Sequence, residues 1–151
     1  MKCVCISCFD YYATRMKNII HFFEQKGYEV TYIITDFQHF SKEKYKVDYK
    51  NTIQIKVPSY KKNMSLKRLY SHAIFSKQVH KLLNQIKPEF VYCMIPPNSL
   101  VKQVARFKKQ FMNTKVVYDC YDMWPESLPC GKYKKIVSIP LFFWGRLRDK
   151  N

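Results

Sequence analysis

Glycine is scarce: Gly27, Gly131 and Gly145 are the only three in a chain of 151 residues. Phosphate-cradling loops need glycines a few residues apart, because the backbone must turn tightly and come close to the anion. Neither G-x-G-x-x-G nor G-x-x-x-x-G-K-S/T can be written with this spacing. Acidic residues are few as well, 11 Asp and Glu against 27 Lys and Arg, which gives a net charge of +16. That excess predicts an anionic partner, whether nucleic acid, a membrane face or a phosphorylated substrate. No apolar run reaches the ~18–20 residues of a bilayer span. The opening Met1-Lys2-Cys3-Val4-Cys5-Ile6-Ser7 goes straight into a strand-like run, without the apolar stretch and small-residue cleavage site of a signal peptide. A reducing cytoplasm is therefore expected, with free thiols at Cys3, Cys5, Cys8, Cys93, Cys120 and Cys130. What is abundant is apolar material, 47% of the chain with 17% aromatic, which excludes a disordered protein. The length fits one domain.

Strand-length apolar runs alternate with segments of helical period. Cys3–Ser7 reads as a buried strand. Met16, Ile19, Ile20 and Phe23 then recur as one helical stripe, and Gly27 fits a left-handed helix cap. Tyr28–Thr35 is a second strand, and Asp36–Lys50 a polar, aromatic surface loop with room for a short helical turn. Asn51–Val57 is a third strand, stopped by Pro58. Ser65 can cap a helix whose inward positions read Leu66, Leu69, Tyr70 and Ala73, then Val79, Leu82, Leu83 and Ile86. Phe90–Ile95 is a fourth strand, stopped by Pro96 and Pro97. Asn98 can cap a helix with Leu100, Val101, Val104, Ala105 and Phe111 inward, and Lys115–Asp119 is a fifth strand. This rhythm predicts an α/β domain, a doubly wound, mainly parallel Rossmann-like sheet with helices on both faces. Ligands of such sheets collect at the carboxyl ends of the strands. The loops to inspect are thus Cys8–Thr14, Asp36–Tyr45, Pro58–Met64, Pro96–Asn98 and Asp119–Gly131.

The last of these loops carries the strongest signal. Three carboxylates, Asp119, Asp122 and Glu126, cluster after the fifth strand of a basic chain, and Trp124-Pro125 stiffens the exit. Carboxylates accept hydrogen bonds from sugar hydroxyls, and one can act as a base; equally, Asp122 or Glu126 can cap a turn. Asp122-Met123-Trp124-Pro125-Glu126-Ser127-Leu128 resembles the D-x-W-P-E-S motif of family 4 glycosyltransferases. Phe22-Phe23-Glu24-Gln25-Lys26-Gly27-Tyr28-Glu29-Val30-Thr31-Tyr32-Ile33-Ile34-Thr35 is similar to that family's entry into its second strand. With the element order, the resemblance covers nearly the whole chain. It implies the N-terminal, acceptor-side half of a two-domain GT-B enzyme. Such an enzyme is retaining, needs no metal or cofactor, and moves a sugar from a nucleotide-sugar donor to a lipid-linked sugar acceptor in capsule or O-antigen synthesis. Asp122 is then the catalytic candidate, and Asp119, Glu126, Trp124, Asp10, Tyr11, Tyr12 and Thr14 the substrate-binding ones. The loop Cys8–Thr14 lacks the glycine pair of many relatives. The chain stops at Asn151, before any donor domain, so the donor half is expected on a missing C-terminal part or a separate polypeptide.

Residues 132–151 read differently from residues 1–131. Ile136 to Trp144 is apolar nearly all round, with Lys132, Lys134 and Lys135 before it and Arg146, Arg148 and Lys150 after. Phe142, Phe143, Trp144, Arg146 and Arg148 suit a helix lying in the anionic inner membrane face; packing against the sheet or a second domain suits it equally. Peripheral attachment to that face is the expected location, since membrane leaflet and lipid-pyrophosphate acceptor are both anionic. Cys5-Ile6-Ser7-Cys8 has redox or metal spacing, but Cys5 falls inside the strand pattern and no second Cys-x-x-Cys completes a zinc site, so a structural role is expected. His21, His39, His72 and His80 lack metal spacing and read as solvated or edge-of-core, with His39 in a loop at the ligand end. No nucleic-acid module signature accompanies the dispersed lysines, so no nucleic acid is expected. A basic nucleic-acid-binding module and an inactive glycosyltransferase remnant are the alternative readings.

Overall fold

The computed structural model describes residues 1–122 and Arg146. Its five strands are β1 (Lys2–Ser7), β2 (Glu29–Thr35), β3 (Thr52–Ile55), β4 (Phe90–Ile95) and β5 (Lys115–Cys120). The helices are α1 (Ala13–Gln25), α2 (Leu66–Ile86) and α3 (Asn98–Gln110), with a short 3-10 turn at Asp10–Tyr12. All strand pairs are parallel, in the order β3-β2-β1-β4-β5. The chain runs outward from β1 to β3, returns to β4 and runs outward again, so the order reverses between β1 and β4. The α/β, Rossmann-like architecture expected from the sequence is the one observed.

The pleat sorts the core. Val4 and Ile6 of β1 join Ile33, Val91 and Cys93 in a cluster with Phe75, Val79 and Leu83 of α2 and Leu100, Val104 and Phe107 of α3. Cys3 and Cys5 point the other way, onto Met16, Ile20 and Phe23 of α1. Cys5 and Cys8 therefore sit in clusters on opposite faces of the sheet, which rules out a dithiol or shared metal at Cys5-x-x-Cys8. Burial pushes the Cys8 and Cys93 thiols up, while Cys5 is raised first by its bond to Cys3. Cys3, Cys5, Cys8 and Cys93 are buried free thiols.

Helix ends follow local chemistry. Gly27 takes φ +79° after α1; its N–H donates to Glu24 O at 2.9 Å, and the Tyr28 N–H to Phe23 O at 3.1 Å. The Tyr28 and Phe23 rings then meet at 5.5 Å, completing a Schellman cap with its apolar contact. Ser65 caps α2 by accepting the Arg68 N–H at 3.2 Å.

Three expectations need correction. Asn98 is the first helical residue rather than the cap; Pro97 arrives extended and supplies the cap carbonyl, which accepts the Leu100 N–H at 2.9 Å. The segment after β2 is more than a surface loop: Tyr45, Val47 and Tyr49 pack on the α1 side of the core, where no helix connects β2 to β3. Gln54 pins it there, accepting from Val47 N–H at 2.9 Å and donating to Tyr45 O at 3.2 Å. Finally, the first half of α2 buries the face opposite to the expected one. Leu66 is 83% exposed, and Leu69 and Tyr70 are exposed too, while Arg68, Ser71, His72 and Ser76 are buried. No described helix is long and apolar enough to cross a membrane. Trp124, Glu126, Cys130, Phe142, Phe143, Trp144 and Arg148 lie outside the described residues, as does the segment 132–151 apart from Arg146, which is helical and half-buried.

Candidate functional site

At the carboxyl end of the sheet, where the strand order reverses, the loops after β1, β2, β4 and β5 enclose a cavity of about 210 Å³. Phe9, Tyr11 and Tyr12 come from the first loop, His39 and Phe40 from the second, Pro96 from the fourth and Asp122 from the fifth. Arg68, from the first turn of α2, closes it.

Buried hydroxyls hold the walls. Ser7 Oγ donates to Phe9 O at 2.9 Å, and Thr35 Oγ1 to Cys8 O at 3.0 Å, so the β1 loop is tied to the ends of its own strand and of β2. Asp10 accepts the His39 N–H at 3.2 Å and joins the first two loops. The His39 ring meets Phe9 at 5.0 Å and Phe40 at 5.2 Å, and its Nδ1 lies 2.7 Å from the Tyr60 hydroxyl. Tyr11 stands edge-on to Phe40 and Tyr12, each at 5.3 Å. Tyr12 lies against Tyr121 at 4.1 Å, and its phenol is pushed up to about 12, chiefly by burial.

Arg68 is 5% exposed. Its Nη1 donates to Asn63 O at 2.9 Å and its guanidinium lies over the Phe9 ring. Burial lowers its pKa; Tyr60, Cys8 and the Asp122 carboxylate act in the opposite direction. Arginine stays charged nonetheless. Among the described residues, the cavity thus presents one buried cation, one carboxylate and a mostly aromatic wall.

Two imidazoles pack around this cation. Burial, followed by Arg68, drops His39 to about 4 and His72 to about 3. His72 is buried, not solvated or at the core edge as its sequence setting indicates. It stands edge-on to Phe9 at 5.5 Å, and its Nε2 has no hydrogen-bond partner among the described residues. Both rings are neutral at pH 7. The unfolded chain takes up a proton near the ordinary 6.5 and the folded chain only well below it, so folding stability is full above that value. Stability falls as pH drops from about 6.5 toward 4. In His72→Leu this slope should flatten while the melting temperature at pH 7 holds or rises. Differential scanning fluorimetry across that range checks it; an unchanged slope would acquit His72.

The structure brings Asp122, Tyr11 and Tyr12 together in the cavity wall. Asp10 stands just behind as a loop tie. Thr14 is exposed on the first turn of α1 and does not line the cavity. Asp119 does not line it either: its Oδ2 accepts from Arg15 Nε at 2.9 Å and Tyr92 Oη at 2.5 Å, beside α1. Phe9, Phe40, Arg68 and Pro96 are wall residues that sequence reasoning missed. For Arg68 a signal exists: Arg68, His72, Phe75, Val79 and Leu83 share one helical stripe, so a cation continues an apolar row. Among the described residues, no three His, Cys, Asp or Glu side chains converge as a metal site requires.

The fold and the placement of the cavity define an α/β Rossmann-like domain with a cavity at its topological switch point. No family model matches this chain, and no curated protein does. Among solved structures it is similar to a protein of Listeria monocytogenes assigned as a UDP-N-acetylglucosamine 2-epimerase, with TM-score 0.54 and 12% identity over 97% of this chain and 35% of that one. It is also similar to the UDP-GlcNAc 2-epimerase of Methanocaldococcus jannaschii, with TM-score 0.52 and 15% identity over 85% of this chain and 34% of that one. The likeness is one of fold. The chain spans about a third of the length of these enzymes.

Proposed function

We propose that this chain is the acceptor-binding domain of a retaining glycosyltransferase of the family 4 type. A donor-binding domain, carried elsewhere in a longer protein or on a second chain, would bring the nucleotide-sugar. The acceptor is a lipid-linked glycan of capsule or O-antigen type, met at the inner membrane face, whose anionic surface complements the +16 charge. The observation that carries the reading is the 210 Å³ cavity at the switch point, where aromatic rings, Asp122 and the buried Arg68 converge. Rings offer apolar faces to the C–H side of a sugar, and a few polar groups fix its orientation. The fold likeness to sugar-nucleotide epimerases of GT-B-like architecture supports a carbohydrate-active enzyme; the D-x-W-P-E-S resemblance supports the transferase.

On this reading Asp122 accepts hydroxyl hydrogen bonds from the bound sugar and draws a proton from the attacking one. Arg68 supplies positive potential in a partly dehydrated hollow, where it counts for more than in water. Calorimetry of the 151-residue chain with a nucleotide-sugar checks the division of labour. No binding in the micromolar range is expected. Micromolar affinity would place the donor site on this domain and overturn the reading.

A further inference from the structure

Beside the candidate site lies a second hollow, of about 410 Å³. Lys42, Lys61, Lys62 and Lys67 line it, with Tyr60 and Ser65 between them. Among the described residues, no carboxylate does. The ion pairs Arg15–Asp119 and Lys44–Asp36 involve none of these four lysines. Lys42 Nζ donates to the neutral His39 O and Asn63 Oδ1 and lies 5.0 Å from the Tyr60 ring centroid. Burial, then the nearby Arg68 cation, lowers the Lys42 ammonium. Four cations around one hollow repel each other, and a multivalent anion turns that repulsion into charge-assisted hydrogen bonds. The positive end of the 21-residue helix α2 begins at the same wall, at the Ser65 cap, and adds to the potential.

The hollow adjoins the site already described across a hydrogen-bonded wall. Tyr60 lines the second cavity, its hydroxyl is 2.7 Å from His39 Nδ1, and His39 lines the first. On the outer side, Met64 is 67% and Tyr70 61% exposed, next to the projecting Leu66. We propose that the lysine hollow is a phosphate subsite, which takes the phosphate or pyrophosphate of an acceptor whose sugar occupies the aromatic cavity. It deepens the glycosyltransferase reading and rests on it for the identity of the phosphate's bearer. The shared chemistry is an organic phosphate, soluble or at a lipid headgroup.

The test titrates the chain with inorganic pyrophosphate, and separately sediments it with phosphatidylcholine vesicles with and without phosphatidic acid. In the combined Lys61→Gln, Lys62→Gln, Lys67→Gln variant, binding in at least one arm should weaken by about tenfold or more, at an unchanged melting temperature. A control with Lys81, Lys102 and Lys109 changed to Gln removes the same charge from elsewhere on α2 and from α3, and should retain most of the binding. Loss in the pyrophosphate arm marks a soluble phosphate, and loss confined to phosphatidic acid vesicles marks a headgroup; both support the subsite. No binding in either arm, or equal loss in the control, overturns it. Saturation-transfer NMR with a neutral acceptor-type sugar reads the aromatic cavity separately. Pyrophosphate binding without sugar contact keeps the subsite and removes the glycosyltransferase reading, and sugar contact without phosphate binding does the reverse.

Discussion

In a complete enzyme that includes the donor domain, Asp122→Asn lowers kcat/KM by at least ~100-fold, the low end for a lost general base, and leaves the melting temperature unchanged. Asp122 sits just past the end of β5 and lines the cavity with Arg68 and Tyr12. Asparagine has the same shape and forms turns and caps as readily as aspartate, so a turn-holding role survives the exchange. A charge-assisted bond to a sugar hydroxyl, or proton abstraction, does not. Arg68 keeps its Nη1 bond to Asn63 O and its seat over the Phe9 ring in the variant, so the contacts that hold the buried cation do not depend on the Asp122 charge alone. Steady-state kinetics with thermal melts separates the roles. Near-normal turnover removes Asp122 from the site, and a large drop in melting temperature with retained specific activity makes it structural.

Much of the fold is legible in the chain because its signals are local. The Ser65 cap, the Gly27 turn and the prolines after β3 and β4 each act through a few neighbouring atoms. Burial of strands on both faces appears directly as the unbroken run Val91-Tyr92-Cys93-Met94-Ile95. The site is less legible because its parts come from five places along the chain. Tyr11, Tyr12 and Asp122 could be proposed from strand-end loops. Asp119 could not be separated from Asp122 by spacing alone; the pleat sends it toward Arg15 and Tyr92 beside α1, away from the cavity. His39 carried a faint signal from its loop, and only the structure joins it to Phe9 and Tyr60.

Helix α2 shows why the rest stayed hidden, and it gives the largest stability effect. Two stripes obey helical spacing in its first half. Leu66, Leu69, Tyr70 and Ala73 form the more apolar one; Arg68, Ser71, His72 and Phe75 form the other. Periodicity ranks the apolar stripe inward. The structure buries the polar one, because α2 must turn Phe75, Val79 and Leu83 onto the sheet, and a rigid helix then carries Arg68 and His72 inward with them. Their burial is unfavourable by itself and is sustained by the apolar half. Phe75 is fully buried where the two halves meet. Phe75→Ala should therefore cost about 3–5 kcal/mol, lost transfer energy plus a residual cavity. That is a large share of the roughly 5–15 kcal/mol expected for a domain, and it lowers the melting temperature by roughly 10 °C. Leu66→Ala, on the exposed stripe, should change stability by less than ~0.5 kcal/mol. Urea unfolding of both variants, with an unchanged m value, measures the contrast. If Leu66→Ala costs as much as Phe75→Ala, α2 presents its other face to the sheet, and Arg68 and His72 leave the cavity with it.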